Sequence, residues 1–170
     1  MPPAHPFDTS YLRDADNDDK LKEECGVFGV IGVADASNFV ALGLHALQHR
    51  GQEAGGIVSH DPEVGFQSAR RFGYVRDNFT SQKVMETLPG ILAIGHVRYS
   101  TAGSKGQTAI RDRMHHPLDG TVPATQYPER MEDALRRVEG AFSIVAMTRT
   151  KLIGVRDPLG VRPLVLGQVW

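Results

Sequence analysis

The sequence has little of what builds disulfide-rich, membrane-spanning or nucleic-acid-binding proteins. Its 170 residues include one cysteine, so no disulfide can form within the chain, and we expect a reducing compartment such as the cytoplasm. No apolar run approaches the ~20 residues of a transmembrane helix. Nineteen basic and twenty acidic residues leave a net charge of −1. No overall positive field therefore favours nucleic acid or an anionic membrane as a partner.

The first 24 residues differ in composition from the rest of the chain. Residues 14–19 read DADNDD, and residues 1–24 lack the apolar core of a secretory signal. We therefore predict a disordered, removable leader over residues 1–24. Residues 25–170 suffice for one globular domain with a substantial core, and a second full domain would not fit.

Beyond the leader, strand-like runs outnumber helical ones, and tight turns join several of them. The first run, residues 27–33, predicts a buried strand in which Gly29 and Gly32 let another backbone approach. This pattern predicts an antiparallel-rich α+β fold. Further strands are predicted at residues 55–60, 65–70, 91–94, 141–147, 152–156 and 163–166, and a short helical stripe at Met131, Ala134, Leu135 and Val138.

One longer helix is predicted after the first strand. Ser37 or Asn38 can cap its start, and Gly51 can end it by adopting the positive φ of a C-cap. Apolar residues at three- and four-residue spacing predict a broad buried face, formed by Phe39, Val40, Leu42, Leu44, Ala46 and Leu47.

The regular pattern fails between residues 104 and 128. Charged residues, histidines and three prolines leave no apolar period of either kind. We interpret this stretch as a loop of about 25 residues, a length that is uncommon inside a compact domain and that indicates function, disorder or a missing segment.

Cys25, the single cysteine, stands at the junction between leader and domain. If the chain were cut before it, Cys25 would carry both a thiol and a free amine, and an amine titrating near ~8 can act as base for a thiol near ~8.5. While Cys25 is joined to Glu24, that nitrogen is an amide and cannot accept the proton. The alternative is a buried structural thiol, the usual environment of a lone cysteine.

Four motifs occur in order and carry a family resemblance. They are CGVFG at residues 25–29, LQHRGQEAGGI at 47–57, GHVRYSTAG at 95–103 and RDPLGVRPL at 156–164. Together they closely resemble the amidophosphoribosyltransferases, glutamine amidotransferases with an N-terminal nucleophile. The nearest enzyme alternative is another glutaminase family, such as glucosamine-6-phosphate synthase, but its Tyr-Arg-Gly-Tyr-Asp and Arg-Trp motifs are not found.

The resemblance implies a fold and a reaction. The fold is the four-layer αββα arrangement of N-terminal-nucleophile hydrolases, here incomplete, with residues 25–170 as a type-2 glutamine amidotransferase domain. Residues 1–24 become a propeptide. Cys25 then attacks the glutamine carboxamide, releasing ammonia and leaving a thioester that is hydrolysed to glutamate. In the family, a phosphoribosyltransferase domain, which this sequence lacks, uses the ammonia to make phosphoribosylamine from phosphoribosyl pyrophosphate in purine (IMP) biosynthesis.

The resemblance also implies which residues bind glutamine. It assigns the α-carboxylate to Arg98, whose guanidinium can hold a carboxylate in bidentate fashion. Without the motif, Arg98 would be interpreted as a solvated residue at a strand end. The glutamine pocket is expected to include Arg50, Gly51, Tyr99, Ser100 and Thr101.

The histidines raise two further possibilities, a catalytic Cys–His pair and a metal site. His49 and His96 invite a Cys–His pair, but in this family the base is the amine. His115 and His116 beside Asp119 lack the i, i+4 spacing of a helical ligand pair, so we predict no metal site. We expect no cofactor in this chain; full-length relatives use Mg²⁺, and some use an iron–sulfur cluster, in regions absent here.

The last motif also contains turn residues. Asp157-Pro158-Leu159-Gly160 is interpreted as a tight hairpin connection.

The chain departs from the family after the Arg98 motif. The Asn-Gly-Asn segment that stabilises the oxyanion is missing, as is a later Thr-Ser-Asp stretch, so the domain is predicted to be shortened around residues 104–128. Losing one oxyanion donor can cost ~10²–10³ in rate. The competing hypothesis is therefore an inactive remnant, or a domain that binds glutamine or a partner subunit.

The resemblance implies three partners. They are glutamine, phosphoribosyl pyrophosphate only through the missing domain, and a second copy in a homo-oligomer.

Overall fold

The computed structural model describes residues 25–99, 127–136 and 138–168. These residues form an α+β fold, which confirms the predicted class. The predicted leader and the loop over residues 104–126 lie outside the described residues, and the final helix begins at Tyr127, just inside the predicted loop. The elements are β1 (Gly26–Ile31), α1 (Ala36–Ala46), a 3₁₀ turn (Gln48–Arg50), β2 (Ala54–Asp61), β3 (Gly65–Phe72), α2 (Val75–Asn78), α3 (Gln82–Met85), β4 (Leu92–Arg98), α4 (Tyr127–Leu135), β5 (Ser143–Met147) and β6 (Leu152–Arg156).

Four strands form one antiparallel sheet in the order β1-β4-β2-β3. The predicted hairpin between β2 and β3 is confirmed. Its turn is held by Asp61, whose Oδ1 accepts hydrogen bonds from the backbone N–H groups of Glu63 and Val64. The predicted core strand at residues 91–94 is confirmed as part of β4, which extends to Arg98.

Helix α1 covers one face of this sheet, with a different buried side from the one predicted. Val40 and Leu44 are fully buried against β4, where a Cβ on Gly95 would lie 2.5–2.6 Å from their side chains. Phe39 and Leu42 are instead 38% and 68% exposed, so the predicted face was partly wrong. Spacing alone identified two overlapping apolar stripes and could not choose the one that meets the sheet.

The start of α1 also differs from the prediction. The N-cap is Asp35, in the left-handed conformation, and it makes no side-chain capping bond. Ser37 lies inside the helix and is 2% exposed, and its hydroxyl donates to the carbonyl oxygen of Leu88 at 2.6 Å. The tertiary hydrogen bond therefore takes the hydroxyl that would otherwise cap the helix.

A second sheet, β5 paired with β6, packs against β1. A Cβ on Gly29 would lie 2.8 Å from the Val145 side chain and 2.9 Å from that of Leu152. Gly29 thus makes room for side chains of the second sheet, not for another backbone as predicted. Gly32 meets nothing within 4 Å and is needed for its φ of +82° in the turn after β1.

The predicted strand at residues 163–166 is not a strand, so the turn after β6 is not a hairpin connection. Pro163 has no N–H to donate to a ladder. The segment is held instead by the hydroxyl of Ser143, which lies 3.1 Å from the carbonyl oxygen of Arg162. Within the described ranges, no helix has the length and apolar content needed to cross a membrane.

Candidate active site

Cys25 lies immediately before β1 in an unusual backbone conformation. Its φ is 62°, in the left-handed region that non-glycine residues rarely adopt. The backbone N–H of Cys25 donates to the carbonyl oxygen of Arg50 at 2.8 Å, and Nε of Arg50 donates to the carbonyl oxygen of Cys25 at 3.0 Å. This reciprocal pair holds both sides of the Cys25 backbone and offsets the cost of the conformation.

The thiol of Cys25 lies at a large cavity. It is partly exposed, and Sγ is 3.9 Å from the carbonyl oxygen of Tyr99, within reach of a weak S–H···O contact. The cavity has a volume of about 1110 Å³ and also receives Arg50 and Arg98. The structure therefore places the predicted nucleophile and the two predicted arginines at one cavity, which is large enough for an amino acid.

Gly51 brings two of these elements together, for a reason the sequence did not reveal. Its φ is −165°, so the predicted positive-φ C-cap is wrong. A Cβ at this position would lie 2.7–2.8 Å from backbone atoms of Arg98 and Val97. Glycine is required because the turn after α1 passes directly against the end of β4, and this close approach places Arg50 and Arg98 beside the same cavity.

Gln48 is a positioning residue that the sequence reasoning missed. Its Nε2 donates to the carbonyl oxygen of Gly51 at 2.5 Å, and its Oε1 accepts from the backbone N–H of Val75 at 2.6 Å. One side chain thus fixes the turn that carries Arg50 and ties it to α2. The one feature of the sequence that could have indicated this role is the position of Gln48 within the motif at residues 47–57.

The remaining predicted pocket residues are only partly described. Arg98 ends β4, and its carbonyl oxygen accepts from the N–H of Glu53 at 3.2 Å. Tyr99 is 47% exposed, and its backbone carbonyl oxygen is the Tyr99 atom that lies 3.9 Å from the thiol sulfur. Ser100 and Thr101 lie outside the described residues.

The two histidines have different surroundings. His96 lines the cavity, and burial, followed by the positive charge of Arg98, lowers its pKa below 6.5. It is therefore neutral at neutral pH. The exposed His49 is not among the described lining residues, and its Nδ1 lies 3.1 Å from the carbonyl oxygen of Ala46.

The three residues considered for a metal site, His115, His116 and Asp119, lie outside the described residues. In the part of the chain that is described, no group of three or more His, Cys, Asp or Glu side chains is arranged to hold a metal ion.

The fold is similar to that of two solved enzymes. A structure of the allosteric regulatory enzyme of purine biosynthesis matches 81% of this chain with a TM-score of 0.69 and 24% identity. Glutamine phosphoribosylpyrophosphate amidotransferase from Bacillus subtilis, complexed with ADP and GMP, matches the same share with a TM-score of 0.61. Each match covers 38% of the solved chain. Both similarities therefore concern the fold and extend over little more than a third of each solved chain.

Sequence similarity shows the family. An amidophosphoribosyltransferase of Rhizobium etli is 37% identical over 210 residues, covering 99% of this chain. The chloroplastic enzyme of Glycine max is 38% identical over 90% of the chain, and that of Staphylococcus aureus 32% over 88%. No protein-family model matches. The chain belongs to the amidophosphoribosyltransferase family, a family of transferases, and it spans 34–42% of the length of these relatives.

Proposed function

We propose that residues 25–170 form the glutaminase part of an amidophosphoribosyltransferase, with the four-layer fold of N-terminal-nucleophile hydrolases, acting in the cytoplasm. Removal of residues 1–24 exposes Cys25, which hydrolyses glutamine to glutamate and ammonia. The ammonia is used on phosphoribosyl pyrophosphate by a domain outside these 170 residues, in purine biosynthesis. The proposal assigns no metal or other cofactor to these residues and allows a homo-oligomer.

The observation that carries the proposal is the reciprocal pair between Cys25 and Arg50. In a processed chain, the nitrogen of Cys25 that donates to Arg50 becomes the α-amine. A carbonyl acceptor leaves the lone pair of that amine directed elsewhere, available to take the thiol proton. The Arg50 guanidinium on the other side of Cys25 fixes the residue, so thiol and base keep one relative geometry.

Arg98 supports the choice of glutamine as substrate. It lines the cavity that contains Cys25, and a guanidinium there can bind an α-carboxylate in bidentate fashion. Neutral His96 next to it adds no charge that would compete for that carboxylate. We propose that Tyr99, Gly51 and the undescribed Ser100 and Thr101 complete this pocket.

A second candidate is an inactive remnant or a domain that only binds glutamine or a partner subunit. The observation favouring it is the alignment with the Rhizobium etli relative, which extends over 210 residues although this chain has 170. The relative thus has roughly forty positions that have no counterpart here. We propose that the chain is shortened around residues 104–128, where the oxyanion segment of the family would lie.

Intact mass and ammonia release distinguish the candidates. An active enzyme is expected to have lost residues 1–24 and to release ammonia from glutamine, and Cys25→Ala is expected to abolish that release. A glutamine analogue with an electrophilic carbon should label Cys25. A chain that keeps residues 1–24, or a processed one that releases no more ammonia than Cys25→Ala, rejects the active-enzyme proposal. Glutamine binding that is lost in Arg98→Ala would then support the binding domain.

A further inference from the structure

Strand β5 is paired along one edge only. The N–H of Asp157 donates to the carbonyl oxygen of Phe142, and this bond fixes the phase of the ladder between β5 and β6. In an antiparallel ladder, residues that exchange hydrogen bonds with the partner strand alternate with residues whose N–H and C=O groups point away from it. We call the groups that point away from β6 the open edge. They are the backbone N–H and C=O groups of Ser143, Val145 and Met147.

The open edge is suited to pairing with a further strand. Its backbone groups make no hydrogen bond within the described part of the chain. Strand β5, with the sequence SIVAM, contains neither the charged residues nor the proline that commonly protect an edge strand. All five of its residues are half-buried, so the strand is not covered on both sides. An unpaired row of N–H and C=O groups of this kind is a template for another strand.

The first sheet beside the open edge is incompletely covered. β5 contacts both β1 and β4, whereas β6 packs on β1, so a strand added to the open edge would lie over β4 and β2. On these strands Ile57 and Val97 are fully buried on the side of α1. Val58 and Ile94, which line the cavity on the opposite side, are only half-buried. An added strand would therefore cover apolar side chains that nothing in the described structure covers completely.

The charge of the cavity favours an acidic strand. Arg70 and Arg98 are among its described lining residues, which include no aspartate or glutamate. In the strand register, Arg98 is paired with Ala54 and Arg70 with Gly56, so small residues separate the two arginines. Guanidinium groups bind carboxylates with paired hydrogen bonds. A strand that crosses this sheet thus meets apolar side chains at one part of its path and arginines at another.

We propose that the open edge binds an extended segment of another polypeptide as an antiparallel strand, with apolar and acidic side chains directed at the first sheet. Residues paired across a ladder project from the same face, and Val145 projects toward Gly29 of the first sheet. The residues of the bound segment that pair with the open edge therefore also face the first sheet. This binding requires neither cleavage before Cys25 nor glutaminase activity, so it stands apart from the proposed function.

A second copy of the domain does not fit at the open edge. Antiparallel pairing of two β5 strands would put the first sheets of both copies on the same side of the joined sheet. Because β4 and β2 already extend beneath the open edge, the first sheet of the second copy would overlap them. A single extended segment has no such conflict.

The test uses the peptide acetyl-Glu-Thr-Val-Thr-Val-Thr-Glu-amide and the full chain. Calorimetric titration is expected to show saturable binding. On binding, the amide hydrogens of Val145 and Met147 should exchange roughly tenfold slower, whereas that of Gly154, which points away from β5 at the other edge of the ladder, should be unchanged. A peptide with lysine in place of both glutamates should bind roughly tenfold more weakly, because its charges repel the arginines.

N-methylated peptides separate strand pairing from charge attraction. The nitrogens of the two valines face β5 in the proposed arrangement, so methyl groups on both should abolish binding. Methyl groups on the nitrogens of the last two threonines, which face away, should leave the affinity nearly unchanged. Equal losses with the two methylated peptides, no loss with either, or the reverse order each overturns the proposal.

Two proline variants test the protein side. Met147→Pro removes an N–H of the open edge without removing a bond between β5 and β6, and should weaken peptide binding roughly tenfold. Leu152→Pro is the matched control, since Leu152 is paired with Met147 and its N–H points to the other edge. Should Met147→Pro fail to fold, the methylated peptides alone decide.

Two further results would overturn the proposal. One is the absence of saturable peptide binding at millimolar concentration. The other is slow exchange of the Val145 and Met147 amides in the free chain that the peptide does not change, which would assign the open edge to another part of this chain or to a second copy.

Discussion

A Cβ on Gly51 would lie 2.7 Å from the backbone carbonyl carbon of Arg98. The turn after α1 and the end of β4 therefore touch through their main chains, and neither can move without the other.

Gly51→Ala should destabilise the protein. Because the clash is with backbone and not with a flexible side chain, the strand end must shift, at a cost of about 1–3 kcal/mol in the free energy of unfolding. Gly56→Ala is the control, since its Cβ would meet nothing closer than 3.4 Å. Urea denaturation of both variants measures the difference. Equal midpoints for the two would show that the contact carries no strain.

Arg50→Lys should loosen the Cys25 backbone while keeping the positive charge. Lysine has no Nε–H at the position that now donates to the Cys25 carbonyl oxygen. We expect the amide hydrogen of Cys25 in the uncut chain to exchange roughly tenfold faster, the factor corresponding to about 1.4 kcal/mol. Arg76→Lys should leave this exchange rate unchanged. An unaltered Cys25 rate in Arg50→Lys would assign Arg50 a role in ligand binding alone.

Asp157 should stabilise the turn after β6 in a pH-dependent way. Backbone N–H donors, first that of Val161 and then those of Arg162 and Phe142, hold the pKa of its carboxyl below the ordinary 3.8. Both folded and unfolded chains are ionised above that value, so the stabilisation is complete there and is lost as pH falls through the lower folded pKa.

Asp157→Asn should therefore lower stability at pH 7 and make the acid side of the stability curve less steep. The amide replaces an acceptor oxygen with a donor that faces backbone N–H groups. Asp77→Asn, at an exposed position on α2, is the control and should preserve the parent curve. Thermal unfolding from pH 2 to 7 gives the measurement. Parallel curves for parent and Asp157→Asn would contradict the assignment.

Alanine substitution of two buried serines should change the stability of the protein in opposite directions. Ser37 donates to the carbonyl oxygen of Leu88, so Ser37→Ala strands a buried acceptor and should cost about 1–3 kcal/mol. Ser59 is fully buried, and its hydroxyl has no partner among the described residues. Ser59→Ala should therefore be neutral or stabilising, by up to about 1 kcal/mol. Chemical denaturation of the pair decides, and a larger loss in Ser59→Ala would refute the prediction.

His96 should titrate below 6.5 because of burial and the charge of Arg98. Since the unfolded chain takes up the proton at the higher pH, this group removes stability as pH falls from about 6.5 toward its folded pKa. Arg98→Gln removes the charge and should raise the pKa of His96 without restoring it fully, because burial remains. NMR titration of the imidazole follows both proteins. An identical titration in both would show that Arg98 has no influence.

Local patterns in the sequence were sufficient for most of the fold. Alternating and apolar runs identified β1, β2, β3, β4, β5 and β6. Burial of one face of a strand leaves a pattern of apolar residues that can be read from the sequence of that strand alone. They failed at residues 163–166, where Pro163 lacks the donor for a ladder, and at the buried side of α1, where two stripes overlapped. Choosing between such stripes depends on which sheet the helix meets, and that is not a local property.

The sequence by itself determined the family, through four ordered motifs, and placed Cys25 as the candidate nucleophile at the start of the first strand. Only the tertiary structure decided how the site is built: the pairing of Arg50 with Cys25, and the contact between Gly51 and Arg98. These partners lie 25 residues or more apart along the chain. Their contacts depend on how the chain packs in three dimensions, so they cannot be predicted from a local apolar period or a turn preference.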